Sequence, residues 1–289
     1  GRNAERHAQR IVTVDDEVLS LFATLYDEEG TSAREARLSA VHSEQVLEVL
    51  QRFAGQSNRL VSLSEEYKAT VMFDETYGQR DGFIKRSTQF IDDAKNWVVS
   101  GPHFFVGTPF YKTPQRKCSN NLHYDVIELN SLPESYLPRS NYLPDCPRSE
   151  YRRTSLVPWK DQSDERKSVI DYYRLFMSRA LSPTGQRTLQ PAILPPGVGH
   201  INPVLSTTFK DEQKMVLLSG LLASVPYDFF LKTTGREDLY ESTLRQFPLT
   251  DSDSRITLRT LLLNSLTTHY ADLWDDSWQD AFRTDTWTK

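Results

Sequence analysis

Apolar residues recur at helical spacing near the start of the chain. In VDDEVLSLFATLYD, Val18, Leu19, Phe22, Leu25 and Tyr26 fall on one face, and acidic residues crowd the first turn. A second face, with Leu38, Val41, Val46, Leu47, Leu50 and Phe53, predicts a helix from about Thr31 to Phe53, ended by AGQSN. The period then shortens. NRLVSL, KATVMF, HFFVG and YDVIEL are short β-rich runs bounded by Gly, Pro, Asn and Asp, and they predict strands. Proline is dense between residues 102 and 158, which favours winding loops over long helices.

Beyond that stretch, Val169, Ile170, Tyr173, Phe176, Met177 and Leu181 predict a helix from about Asp164 to Leu181. LQPAIL and VLSTTF read as strands on either side of a Pro-Pro-Gly loop. DEQKMVLLSGLLAS reads as a helix buried nearly all round, and REDLYESTLRQF as an amphipathic helix stopped by Pro248. DSDSRITLRTLLLNSLTTHYADLW opens on capping residues and repeats Leu258, Leu261, Leu262, Leu266, Tyr270 and Leu273 on one face. The expected fold is α+β: a mixed, loop-rich β-containing domain over 58–250, flanked by helical segments at 1–57 and 251–289.

A chain of 289 residues with 38% hydrophobic and 25% charged positions can bury a proper core. No run of 18 apolar residues is present, so no membrane partner is expected. The start, GRNAERHAQR, is polar, basic and without an initiator Met, which suggests a piece excised from a longer protein. Two cysteines, Cys118 and Cys146, make no disulfide scaffold, so a reducing, cytoplasmic setting is expected. The net charge of −5 has the wrong sign for a generic nucleic-acid binder. Its distribution softens that objection. Residues 110–160 carry eight cations against five anions, whereas the last forty residues are rich in Asp. A basic middle is either ordinary surface charge or a surface that meets a polyanion.

GQRTLQPAILPPGVGH, residues 185–200, holds fragments of two methyltransferase motifs and completes neither. Amino-group DNA methyltransferases need Asn, Asp or Ser before Pro-Pro to accept a hydrogen bond, and an aromatic after it to stack on the flipped base. Here the quartet is Leu194-Pro195-Pro196-Gly197. A cofactor-binding Gly-x-Gly should open into a helix, but Gly197-Val198-Gly199 runs into strand-like HINPVLSTTF. Glu66-Tyr67-Lys68 and Glu212-Gln213-Lys214 match half of a nuclease metal site, and Pro144-Asp145 stands too isolated to complete either. Among His103, Cys118, His123 and Cys146, only Cys118 and His123 are near enough to resemble a zinc pair. No Gly-x-Ser-x-Gly elbow or P-loop is present. No catalytic residue, metal ligand or cofactor is therefore expected within this chain.

The loops offer binding chemistry instead. HFFVGTPFYKTPQRKC carries Lys112, Thr113, Arg116 and Lys117 on a proline-stiffened loop suited to phosphate contacts, with Phe110 and Tyr111 as anchors or base contacts. YLPRSNYLP adds Arg139 and Asn141, the residue types that read guanine and adenine edges bidentately. DGFIKR presents Lys85 and Arg86 after an Asp-Gly turn. LKTTGREDL offers Lys232 before an expected helix start, either as a phosphate site or beside a Thr233 or Thr234 N-cap.

Four segments in order, SGPHFFVGTPFYKTPQRKC, YDVIELNSLPESYLPRSNYLP, QRTLQPAILPPGVGH and PYDFFLKTTGREDLYESTLRQFPL, resemble one family. It is the target-recognition region of large bacterial adenine-specific DNA methyltransferases of type II restriction–modification and phage-defence systems. The resemblance spans about residues 60–270. It implies sequence-specific binding of double-stranded DNA, with the catalytic methyltransferase domain and its S-adenosylmethionine site upstream in the same parent chain. Under it, Arg187 either touches the DNA backbone or is a structural ion-pair partner. A different reading makes the chain a protein-interaction module of a defence complex, with the leucine-rich C-terminal helices and five Trp as its docking surface. A third, a nuclease built on a Glu-x-Lys pair, is the least supported.

Overall fold

The computed structural model describes residues 11–286 except 29, 40 and 183. All of the polar GRNAERHAQR start and the last three residues lie outside that range. In chain order the described helices and strands open with α1 (Asp16–Tyr26), α2 (Glu44–Ala54), β1 (Tyr67–Thr70), α3 (Glu75–Arg80), β2 (Ile84–Gln89) and β3 (Val98–Val99). The middle holds β4 (Lys112–Pro114), β5 (Tyr124–Val126), β6 (Ser140–Pro144), α4 (Arg148–Arg153), β7 (Arg174–Ser178), β8 (Pro191–Leu194), β9 (Gly199–His200) and β10 (Val204–Phe209). The chain closes with α5 (Glu212–Ala223), α6 (Val225–Thr233), α7 (Glu241–Leu244), α8 (Ser254–Asn264) and α9 (Ala271–Asp276). The fold is mixed α+β, as the hydrophobic pattern predicts.

An antiparallel sheet of order β1-β10-β7-β8 forms the centre. Every residue of β8 and β10 is buried, and α5 packs against β7, β8 and β10. Gly220 of α5 lets α8 approach closely: a Cβ there would overlap Thr260 and Ile256 of α8. One continuous apolar core runs from Phe22 of α1 through Phe176 and Met215 to Tyr270 and Phe282, so all three sequence segments pack together. A smaller core of Phe73, Ile84, Tyr142, Tyr151, Val169 and Ile201 joins the β2–β6 pair to the sheet. Among the described residues, no single helix is long and apolar enough to cross a membrane.

Several local expectations are corrected. The 164–181 stretch is no helix: Asp164 is left-handed (φ 63°), Val169–Asp171 is one 3-10 turn, and 174–178 is central strand β7. The centre of β7, Leu175-Phe176-Met177, is apolar on both faces, so its sequence matches a helical face equally well. The 31–53 helix shrinks to α2, capped by Ser43. Upstream of it, Arg37 donates its N–H to Asp27, and Ser39 donates to the Thr233 carbonyl, so long-range bonds replace helical ones. NRLVSL forms a 3-10 turn at Leu60–Leu63 rather than a strand. HFFVG contains a turn with Gly107 at φ 71° instead of a strand. The amphipathic REDLYESTLRQF keeps only the single turn α7, and the C-terminal helix breaks after Asn264. KATVMF, YDVIEL, LQPAIL and VLSTTF all contain strands, and DEQKMVLLSGLLAS contains α5.

Candidate nucleic-acid interface

Two small antiparallel strand pairs adjoin one another. In the first, Lys85 and Arg86 of β2 lie opposite Leu143 and Tyr142 of β6. In the second, β4 and β5 form a hairpin with Lys112 opposite Val126 and Thr113 opposite Asp125. Side-chain bonds join them. The Arg139 backbone N–H donates to Thr113 Oγ1 (3.0 Å) and its guanidinium to the Pro114 carbonyl (3.3 Å). Arg86 donates across to the Cys118 carbonyl at 2.8 Å. Thr88 donates to Asn141 Oδ1 at 2.7 Å. His103 sits beneath, fully buried, with one ring nitrogen on the Arg139 carbonyl and the other on Ser100. Burial lowers its pKa to about 4.

Eight of the ten residues singled out in the sequence lie on or beside these two strand pairs: Lys85, Arg86, Lys112, Thr113, Arg116, Lys117, Arg139 and Asn141. Lys85 pairs with Asp145 (2.8 Å) in the open. Arg116 and Lys117 are exposed in the hairpin turn. The Arg139 guanidinium stacks on exposed Phe90, 4.1 Å from the ring centre. Arg86, Lys112 and Asn141 line a cavity of about 460 Å³, walled also by Tyr111, Asn120 and Tyr142. Lys112 Nζ lies 5.0 Å from the Tyr111 ring centre. Tyr142 donates to Glu75 (2.8 Å), and burial together with that carboxylate pushes its pKa up to about 12. It therefore presents a neutral phenol. Phe110 is core, stacked on Trp97, whereas Tyr111 is half-buried at the cavity wall.

The other two residues sit elsewhere. Arg187 and Lys232 flank buried Asp228 at 3.6 and 3.2 Å, and Asp228 also accepts the backbone N–H groups of Thr188 and Leu189 at 2.7 Å each. Arg187 further donates to the Ala223 carbonyl, and Lys232 to the Gly185 carbonyl. Arg187 is thus the structural ion-pair partner. The phosphate-binding helix start expected after Lys232 is corrected: Lys232-Thr233 ends α6, Gly235 turns away at φ 64°, and the next helix begins only at Glu241. The sequence missed Asp228 because an Asp inside YDFFLK reads as an exposed helix residue.

The Pro-Pro-Gly turn is core architecture. Gly197 (φ 96°) donates to the Ile170 carbonyl, and a Cβ there would press on Lys95. Fully buried Arg174 donates to the Val198 carbonyl, and burial lowers its pKa to about 9. The Gly-Val-Gly segment passes from β8 into β9 with no helix behind it, so these residues do not fit S-adenosylmethionine. The two Glu-x-Lys segments meet only as a Glu66–Lys214 ion pair. Among the described residues, no group of three His, Cys, Asp or Glu could hold a metal ion. No protein-family model and no curated protein matches the chain.

Proposed function

We propose that this chain is a target-recognition unit for double-stranded DNA, the specificity part of a larger cytoplasmic, S-adenosylmethionine-dependent adenine DNA methyltransferase. Catalysis and the cofactor belong to a partner domain of the parent chain, outside these residues. One observation supports the reading above the others. Cations scattered over fifty-odd positions of an acidic chain lie on two strand pairs tied by hydrogen bonds, with Arg86, Lys112 and Asn141 at the cavity between them. Phosphate contacts need such fixed cations, and base reading needs amide and guanidinium groups held at set positions.

The interaction-module reading draws less support. Leu258, Leu261, Tyr270 and Leu273 of the C-terminal segment are buried in the core, which leaves Leu262, Leu263 and Trp278 as its exposed apolar groups. The test is fluorescence anisotropy of a labelled duplex across a range of salt concentrations. Binding should weaken steeply with salt, and the combined Lys112→Ala, Arg116→Ala, Lys117→Ala variant should lose at least about tenfold in affinity, its salt slope falling by about 1 for each contact removed. Unchanged binding by that variant removes the hairpin from the interface.

A further inference from the structure

The cavity beside the hairpin differs from a plain phosphate groove. Its volume of about 460 Å³ lies within the range of roughly 300–1,000 Å³ that houses small organic ligands. Its wall combines an aromatic face, Tyr111, with amides from Asn120, Asn121 and Asn141. Asn141 is 6% exposed; Thr88 occupies its Oδ1, and its amide nitrogen has no partner among the described residues. Its amide N–H groups therefore face the open cavity, where a ligand acceptor can replace water. The cations Arg86 and Lys112 supply countercharge at the same wall.

A second observation lies at the rim. Leu122, next to Asn121, is 87% exposed, the highest value among the large apolar residues described. It is not on a loose loop. Its own N–H donates to Asn120 Oδ1 (2.9 Å), the His123 N–H to the Asn120 carbonyl (3.1 Å), and the Gln115 N–H to the His123 carbonyl (3.0 Å). Arg86 braces the same turn at Cys118. The turn thus holds an apolar side chain in water between amides and cations. Apolar wedges of this kind enter base steps and unstack them, and an unstacked base is read by aromatic stacking and hydrogen bonds to its edge.

We infer that the hairpin tip and the cavity capture one extrahelical nucleotide of bound DNA: Leu122 enters the stack, and the displaced base enters the cavity against Tyr111 and Asn141. This rests on the DNA-binding reading, and it concerns a nucleotide held by this chain rather than one delivered to a catalytic domain. The step is non-covalent, and its cost is unstacking and unpairing.

The experiment compares two labelled duplexes of the same sequence, one fully paired and one carrying a single bulged nucleotide. The bulge removes most of the unpairing cost, so the chain should bind it roughly tenfold tighter or more. Asn141→Leu should abolish that preference, so that the two duplexes bind equally. Should Asn141→Leu fail to fold, Tyr111→Ala at the half-buried wall must show the same loss. Leu122→Ala should weaken binding to the paired duplex and spare the bulged one. Equal affinity of the unaltered chain for both duplexes overturns the inference and leaves DNA binding intact. No binding of either duplex overturns the DNA-binding reading itself.

Discussion

Two sets of basic residues, equivalent in the sequence, have opposite fates in the fold. Arg187 and Lys232 converge on buried Asp228, where the carboxylate also holds two backbone N–H groups of the 181–190 loop. Arg116 and Lys117 project from a hairpin turn into solvent, and the neighbouring Arg86 and Arg139 spend donors on carbonyls that fix the turn. The difference lies in the partner. A cation beside a buried carboxylate builds structure, whereas a cation braced by neutral carbonyls keeps its charge available to an outside anion.

The sharpest way to break this comparison is Asp228→Ala. It strands two backbone donors and two half-shielded cations, and should cost about 3 kcal/mol or more in urea unfolding. Acid comes next, because the fold holds two buried neutral histidines: His103 under the hairpin, with a pKa of about 4, and His200 against Phe176 in the central sheet, at about 3. Both lie below the ordinary 6.5. The unfolded chain therefore takes up protons first, so stability is full above pH 6.5 and falls as pH drops toward 4 and then 3. The loss should approach roughly 3 kcal/mol for His103 and roughly 5 kcal/mol for His200. A stability that stays flat between pH 7 and pH 4.5 contradicts buried neutral imidazoles.

A crossed pair of variants sharpens the contrast further. Arg187→Met should lower stability by about 1–2 kcal/mol and leave the salt dependence of DNA binding alone. The double variant Arg116→Ala, Lys117→Ala should do the reverse: stability within about 0.5 kcal/mol of the parent, and a salt slope reduced by about 2. Lys85→Ala should also change stability little, by less than about 1 kcal/mol, since its pair with Asp145 is exposed.

The strands β1, β8 and β10 were legible because their β-prone runs are short and punctuated, and α5 because its apolar run is too long for a strand. β7 was not, since burial on both faces erases the period that separates strand from helix. The hairpin face was legible as residue types in proline-rich loops. Its assembly was not: the bonds from Arg86 to Cys118 and from Arg139 to Thr113 and Pro114 link residues 25 to 32 positions apart. Asp228 was hidden for the same reason. Its partners Thr188 and Leu189 lie about forty positions upstream, and nothing local marks it as buried. Leu122, a lone leucine between polar residues, carried no signal until its exposure and its rigid turn were visible.

The most direct measurement is backbone hydrogen exchange with and without duplex DNA. Protection should appear across 84–89, 112–126 and 138–144, and 181–190 and 225–235 should exchange as in the free chain. Protection centred on the Asp228 region, with the hairpin unchanged, would contradict the account.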